Sequence, residues 1–205
     1  MSRKAACLTI ILLLASTAAV AEQATVQVVP FAGFRMGGGL EDSESGVSRD
    51  IEESGNFGLA LELRYGQEDR WWQLWYSRQD TEIRTADGTL DLGVEYLHLG
   101  GTTPINDEGR VQTYLSGGIG ATRLSPSGAG LDDSVKFSGS LGLGLLVPVS
   151  ERVALRFEAR GYLTLTDSDT AIFCASDIGG SACRIVASGS TIFQAELSAG
   201  ISFGF

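Results

Sequence analysis

The chain has 205 residues, of which 43% are hydrophobic, with 15 Lys and Arg against 25 Asp and Glu and a formal charge of −10. A balance of that sign argues against nucleic acid as a partner and against anionic lipid bound through a basic patch. The length suits one domain, and after the first residues no apolar run is long enough to cross a bilayer as a helix.

Residues 1–21 read as a secretory signal peptide that is cleaved. Arg3 and Lys4 supply the basic start, Leu8 to Ala15 the short apolar run, and Ala19-Val20-Ala21 the small residues of a cleavage site, so Glu22 would begin the mature chain. Cys7 leaves with this segment. The remaining domain, residues 22–205, holds 13 basic and 25 acidic residues, a balance of −12.

Apolar residues then recur at every second position, the period of a strand with one apolar face. Residues 26–36 form the first such segment, with a bulge expected at Pro30, which has no N–H to donate to a ladder. Phe57, Leu59, Leu61, Leu63 and Tyr65 make the second, and Trp72, Leu74 and Tyr76 the third. In the fourth, Leu92, Val94 and Tyr96 alternate with Asp91, Gly93 and Glu95. Residues 111–123, 140–147 and 153–163 follow. The last, from Phe193 to Phe205, is apolar on one face and polar or glycine on the other, and it runs to the final residue. Eight strands of this length match the roughly 9–11 residues a tilted strand needs to cross the hydrocarbon layer. The expected fold is therefore all-β: an eight-stranded antiparallel transmembrane β-barrel, an up-and-down meander with no open edge.

The connections support it. Gly66–Arg70, Thr102–Arg110 and Pro148–Arg152 are short. Gly37–Asn56, Asp80–Thr89, Ser125–Val135 and Thr166–Ser190 are mostly longer and more polar. Short periplasmic turns and long external loops are the expected asymmetry. Tyr65, Trp72, Tyr96, Phe203 and Phe205 would form the periplasmic aromatic girdle, and Phe34, Phe57, Tyr76 and Phe193 the external one. A soluble lipocalin-like barrel would bury its apolar face instead, and is the poorer reading.

Several stretches resemble the small outer-membrane β-barrel proteins of Gram-negative bacteria, of the outer-membrane protein A, W and X type. They are Pro30-Phe31-Ala32-Gly33-Phe34-Arg35, Tyr76-Ser77-Arg78-Gln79, Glu95-Tyr96-Leu97-His98-Leu99-Gly100-Gly101, Arg156-Phe157-Glu158-Ala159-Arg160-Gly161-Tyr162 and the strand ending in Phe205. The resemblance implies export to the bacterial outer membrane, with lipid and lipopolysaccharide as neighbours. It implies passage through periplasmic chaperones and the barrel-assembly machinery, for which Phe205 looks like the terminal signal residue. A monomer is expected. The resemblance says little of function, because a fold is shared by proteins that do different things.

The alternation turns Arg35, Glu62, Arg64, Asp91, Glu95, Arg156, Glu158, Arg160 and Glu196 into the lumen. An eight-stranded barrel is just wide enough to be filled by side chains, and buried charges must be paired. The expected result is a salt-bridged plug, with Gly117, Gly118, Gly120, Gly142 and Gly144 leaving room for bulkier partners or water. A narrow channel for ions or small molecules is the alternative. An apolar transport pocket is not expected. Cys174 and Cys183 are close in sequence in an exported chain, which suggests one local disulfide. The acidic first loop (Glu41, Asp42, Glu44, Asp50, Glu52 and Glu53 against Arg49) reads as a solvated loop rather than a metal site, and no cofactor is indicated. The one histidine, His98, reads as an interfacial residue at the periplasmic end of strand four without a serine or acid to work with, so an enzyme is not expected.

Overall fold

The computed structural model describes residues 25–42, 48–66, 70–85, 88–106, 110–127, 132–166, 171–177, 180–186 and 191–205, with side chains except at 40–50, 84–85 and 171–186. Among them are twelve strands: β1 (Val26–Met36), β2 (Gly39–Asp42), β3 (Ser48–Asp50), β4 (Ser54–Tyr65), β5 (Arg70–Thr85), β6 (Gly88–Asn106), β7 (Gln112–Pro126), β8 (Ser134–Pro148), β9 (Val153–Leu165), β10 (Ala171–Asp177), β11 (Gly180–Val186) and β12 (Thr191–Gly204). Eight of them close a barrel in the order β1-β12-β9-β8-β7-β6-β5-β4. Every ladder is antiparallel, and β1 pairs with both β4 and β12, which shuts the ring. The chain end takes part: Thr25 N–H donates to the Phe205 carbonyl at 2.9 Å, and Phe205 N–H donates to the Val26 carbonyl at 2.9 Å.

Period-2 alternation decides what faces out. Phe57, Leu59, Leu61, Leu63 and Tyr65 of β4 are exposed, as are Leu141, Leu143 and Leu145 of β8 and Phe193, Leu197, Ile201 and Phe203 of β12. A wall of exposed Leu and Phe around polar interior residues is the inverse of a water-soluble core, and it is the pattern a barrel needs in lipid.

Three expectations need correction. First, Pro30 causes no bulge. The β1–β4 register is unchanged through Pro30↔Leu59, and the β1–β12 register is the same on either side of Pro30. A barrel strand tolerates the missing N–H as one gap in the ladder. Second, β6 has the opposite phase near its start. Leu92, Val94 and Tyr96 are buried inside, while Leu97 and Leu99 are exposed. Apolar residues occupy both phases here, and cross-strand charge decides between them. Glu95 pairs with Arg78 of β5 and Arg123 of β7 on the outer wall. Asp91 and Glu95 are therefore not lumenal, and Tyr96 is no girdle residue. The other eight girdle aromatics are exposed.

Third, the connections contain more structure than expected. The β5–β6 ladder continues to Thr85↔Gly88, so this hairpin is far longer than a membrane crossing requires. Parts of Gly37–Asn56 and Thr166–Ser190 form a second sheet, ordered β10-β11-β2-β3. Ile51 bridges to Ile83 of β5, and Glu52 N–H donates to the Glu82 carbonyl, which anchors the segment after β3 to the barrel.

Candidate functional site

The interior is the richest concentration of chemistry-bearing residues. It is built in layers from the short-turn end to the long-loop end. At the short-turn end lies a cavity of about 210 Å³ whose lining includes Gln27, Glu62, Arg64, Trp71, Tyr114 and Arg156. Arg64 points inward there, its guanidinium 5.1 Å over the Trp71 ring.

The cavity floor is an ionic cluster. Arg156 Nη1 donates to Glu62 Oε1 at 2.7 Å. Gln73 donates to the same oxygen at 2.7 Å and accepts from Arg160 Nη2 at 2.7 Å. Glu158 is the hub: it accepts from Arg160 at 2.8 Å, from Ser116 at 2.7 Å and from the Tyr114 hydroxyl at 2.7 Å, with Arg156 at 3.4 Å. Gly142 and Gly144 make this possible. A Cβ at Gly144 would fall 2.0 Å from the Tyr114 ring, and one at Gly142 would fall 2.6 Å from Glu158 Oε1.

Above it lies an aromatic layer. The Arg160 guanidinium sits 3.8 Å over Trp75, which stacks on Phe31 at 4.1 Å. Trp75 Nε1 donates to the Tyr162 hydroxyl at 2.9 Å, and Tyr162 stacks on Tyr96 at 4.1 Å. His98 belongs here, not at the membrane interface. It is buried, with Nδ1 2.8 Å from Ser140 Oγ and Nε2 2.8 Å from Ser138 Oγ. The serines absent from its own strand come from β8, the next strand but one along the wall, reached over Gly118 and Gly120 of β7. Both ring nitrogens are thus engaged, and neither is turned toward an accessible surface.

The next layer pairs Arg35 with Glu196 at 2.7 Å, both fully buried. Tyr162 donates to the same Glu196 oxygen at 3.1 Å, and Ser77 lies between the two charges and Asn56. At the long-loop end Ile51, Ile83, Leu92, Val94, Leu124 and Ile192 form an apolar seal. Inside the barrel Arg35, Arg156 and Arg160 are thereby balanced by Glu62, Glu158 and Glu196. Pairing of this kind is what makes buried charge tolerable; among the described residues Arg35 Nη1 and Glu196 Oε1 are the atoms of these pairs left without a hydrogen bond, and Arg64 adds a further guanidinium at the short-turn cavity.

The outer wall near the long-loop end carries the displaced acids. Glu95 is held by Arg78 at 2.9 Å and Arg123 at 3.3 Å, and Arg123 continues to Asp133 at 2.5 Å. Hydrogen bonds from Arg123 and Ser125 hold the Asp133 carboxyl below the usual range. Asp91, Glu52, Glu53, Asp80 and Glu82 line an adjoining crevice of about 600 Å³. The side chains of Glu41, Asp42, Glu44, Arg49 and Asp50 lie outside the described part. So do those of Cys174 and Cys183, whose backbones stand directly opposite in the β10–β11 ladder.

Strand parity alone could have found Tyr114, Ser116, Gln73 and Trp75 as interior residues. It carries no information on which side chains meet across the lumen.

The model of the outer membrane protein β-barrel domain family matches residues 10–181. No curated protein matches. Among solved structures, the Neisserial surface protein A crystal structure is 16% identical, covers 88% of this chain and 97% of its own, and has a TM-score of 0.62. The outer membrane protein AlkL in lipid bilayers is 14% identical over 93% of this chain and 94% of its own, with a TM-score of 0.59. The outer membrane protease OmpT of Escherichia coli is 8% identical over 88% of this chain and 96% of its own, at 0.50. At these identities the likeness is one of fold, and a fold that also houses a protease leaves activity to be argued from the site.

Proposed function

We propose that this chain, which belongs to the outer membrane protein β-barrel domain family, is a closed barrel of the bacterial outer membrane that acts at the cell surface through its long-loop end. One observation carries the reading. The lumen is filled from the Glu62–Arg156 pair to the Arg35–Glu196 pair, and is then capped by the Ile51–Leu92–Leu124 seal. A solute would have to break buried ion pairs and then cross an apolar constriction. By contrast, the long-loop end carries the sheet β10-β11-β2-β3 and an acid-rich crevice.

The same reading covers the life of the protein. Residues 1–21 direct export and are removed, Phe205 serves the assembly machinery, and the barrel stands as a monomer among phospholipid and lipopolysaccharide. Cys174 and Cys183 form a disulfide that staples the β10–β11 hairpin. Catalysis is not part of the proposal, because the Ser138–His98–Ser140 group is enclosed within the plug.

The alternative is a narrow channel, favoured by the cavity at the short-turn end that reaches Glu62 and Arg156. Single-channel recording of the refolded mature chain in a planar bilayer separates the two. A silent, folded barrel is expected. Discrete, salt-dependent openings altered by Glu62→Gln or Arg160→Gln would overturn the plug.

A further inference from the structure

Among the described residues the barrel wall has a furrow where the outward row reads Leu63–Trp72–Gly101–Gly117–Leu141 across β4 to β8. The two adjacent glycines open a groove of about 370 Å³, bordered by Trp72, Leu115 and Leu141, with Tyr65 and Arg70 at its short-turn end. That volume lies within the roughly 300–1,000 Å³ of small-molecule sites.

The backbone explains only one of these glycines. A Cβ at Gly101 would lie 2.8 Å from the Trp71 carbonyl oxygen, so close strand packing requires it. Gly117 is different. Its φ is not positive, and a Cβ there would meet only the Ser140 carbonyl oxygen at 3.4 Å and Leu141 Cδ1 at 3.6 Å. A side chain would fit, and glycine inside a strand is destabilising relative to alanine. Glycine within a strand goes with a bulge, a tight bend or the close approach of a ligand, and the ladders on both sides of Gly117 run through it without a register shift.

We propose that this groove binds one glycerophospholipid of the periplasmic leaflet. An acyl chain lies along Gly101 and Gly117, between Trp72 on one side and Leu115 and Leu141 on the other, with the lipid phosphate at Arg70. The proposal rests on the membrane reading above, with the short turns periplasmic. The chemistry matches at both ends. The groove is apolar where acyl chains run. Its rim has a guanidinium, which suits a phosphate oxygen pair, beside Tyr65 and Trp72, set edge to face at 5.8 Å. Such aromatics anchor at the headgroup level. A second barrel is the wrong occupant. Trp72 and Leu141 stand 54% and 63% exposed on either side of the glycines and hold a second wall away from them.

The test is native mass spectrometry of the full mature chain, refolded in detergent, with phosphatidylglycerol or phosphatidylethanolamine added below one equivalent and diacylglycerol as the phosphate-free arm. Heat-modifiable migration on a gel checks each sample. A single 1:1 phospholipid adduct is expected, weaker by about tenfold for diacylglycerol and for Arg70→Gln. Gly117→Leu should abolish it. Gly117→Ala, which fits in ordinary contact, should weaken it while folding normally. Adducts in a statistical series, unchanged by both Gly117 variants, would overturn the proposal. So would dimers that Gly117→Leu disperses, which would make a second copy the occupant. A chain that refolds without heat-modifiable migration would instead refute the membrane-barrel reading on which the groove depends.

Discussion

Glu158→Gln tests the plug most directly. The substitution keeps the side-chain volume and one acceptor for Ser116 or Tyr114, but it removes a charge that Arg160 meets at 2.7 Å and Arg156 at 3.4 Å. Glu62 is then left to balance both guanidinium groups. Removing one partner of a buried pair costs about 3–5 kcal/mol, and the retained acceptor places this case near the lower end, at about 3 kcal/mol. With a urea slope of about 2 kcal/mol/M, the unfolding midpoint of the mature chain in vesicles should fall by about 1.5 M. Tryptophan emission follows it, because Arg160 sits over Trp75. Pairing with Arg160→Met should recover part of the loss, since neighbours in one network are not additive. A cost below about 1 kcal/mol, with no recovery in the double variant, would mean that these charges are hydrated. The lumen would then be wet and the plug reading wrong.

Two further outcomes follow from the long-loop end. The facing positions of Cys174 and Cys183 predict no titratable thiol in the exported protein and two after reduction and unfolding. Two free thiols before reduction would remove the staple. Asp133, held below the usual carboxylate range by Arg123 and Ser125, should titrate in an NMR series below the ordinary value of about 3.9. Because its pKa is depressed on folding, its contribution is present above that ordinary value and is lost as pH falls through the folded midpoint. A midpoint at or above the ordinary value would mean that the Arg123 contact does not persist in solution.

The eight barrel strands were legible because lipid outside and a polar lumen inside impose one strict alternation, and β12 and β4 obey it along their whole length. Legibility failed where both phases of a strand are apolar. In β6, the run Leu92–Leu99 can be laid out either way by hydrophobicity, and only the flanking Arg78 and Arg123 on other strands settle it. His98 follows the same correction: once the phase changes, it turns from the interface into the lumen and meets Ser138 and Ser140. The strands β2, β3, β10 and β11 were invisible for another reason. They are short, the β11–β2 ladder that joins the two local pairs links segments far apart in sequence, and no alternation over a few residues separates them from loop.

The two closures of the lumen differ in kind, and this bears on what the interior is for. The ionic layers need balanced charge, so a single change of sign is felt by every member through shared acceptors such as Glu62 Oε1, which receives both Gln73 and Arg156. The seal needs only volume and apolar surface, and Ile51 reaches it from the connection after β3 rather than from a barrel strand. A gate would be expected to place its moving element where a small displacement clears the path. Here Ile51 could withdraw and leave Tyr96–Gln194, Trp75–Tyr162 and Glu62–Arg156 still across the lumen beneath it. A displaced Ile51 would therefore leave the barrel shut, which fits the proposed surface role better than the alternative of conduction.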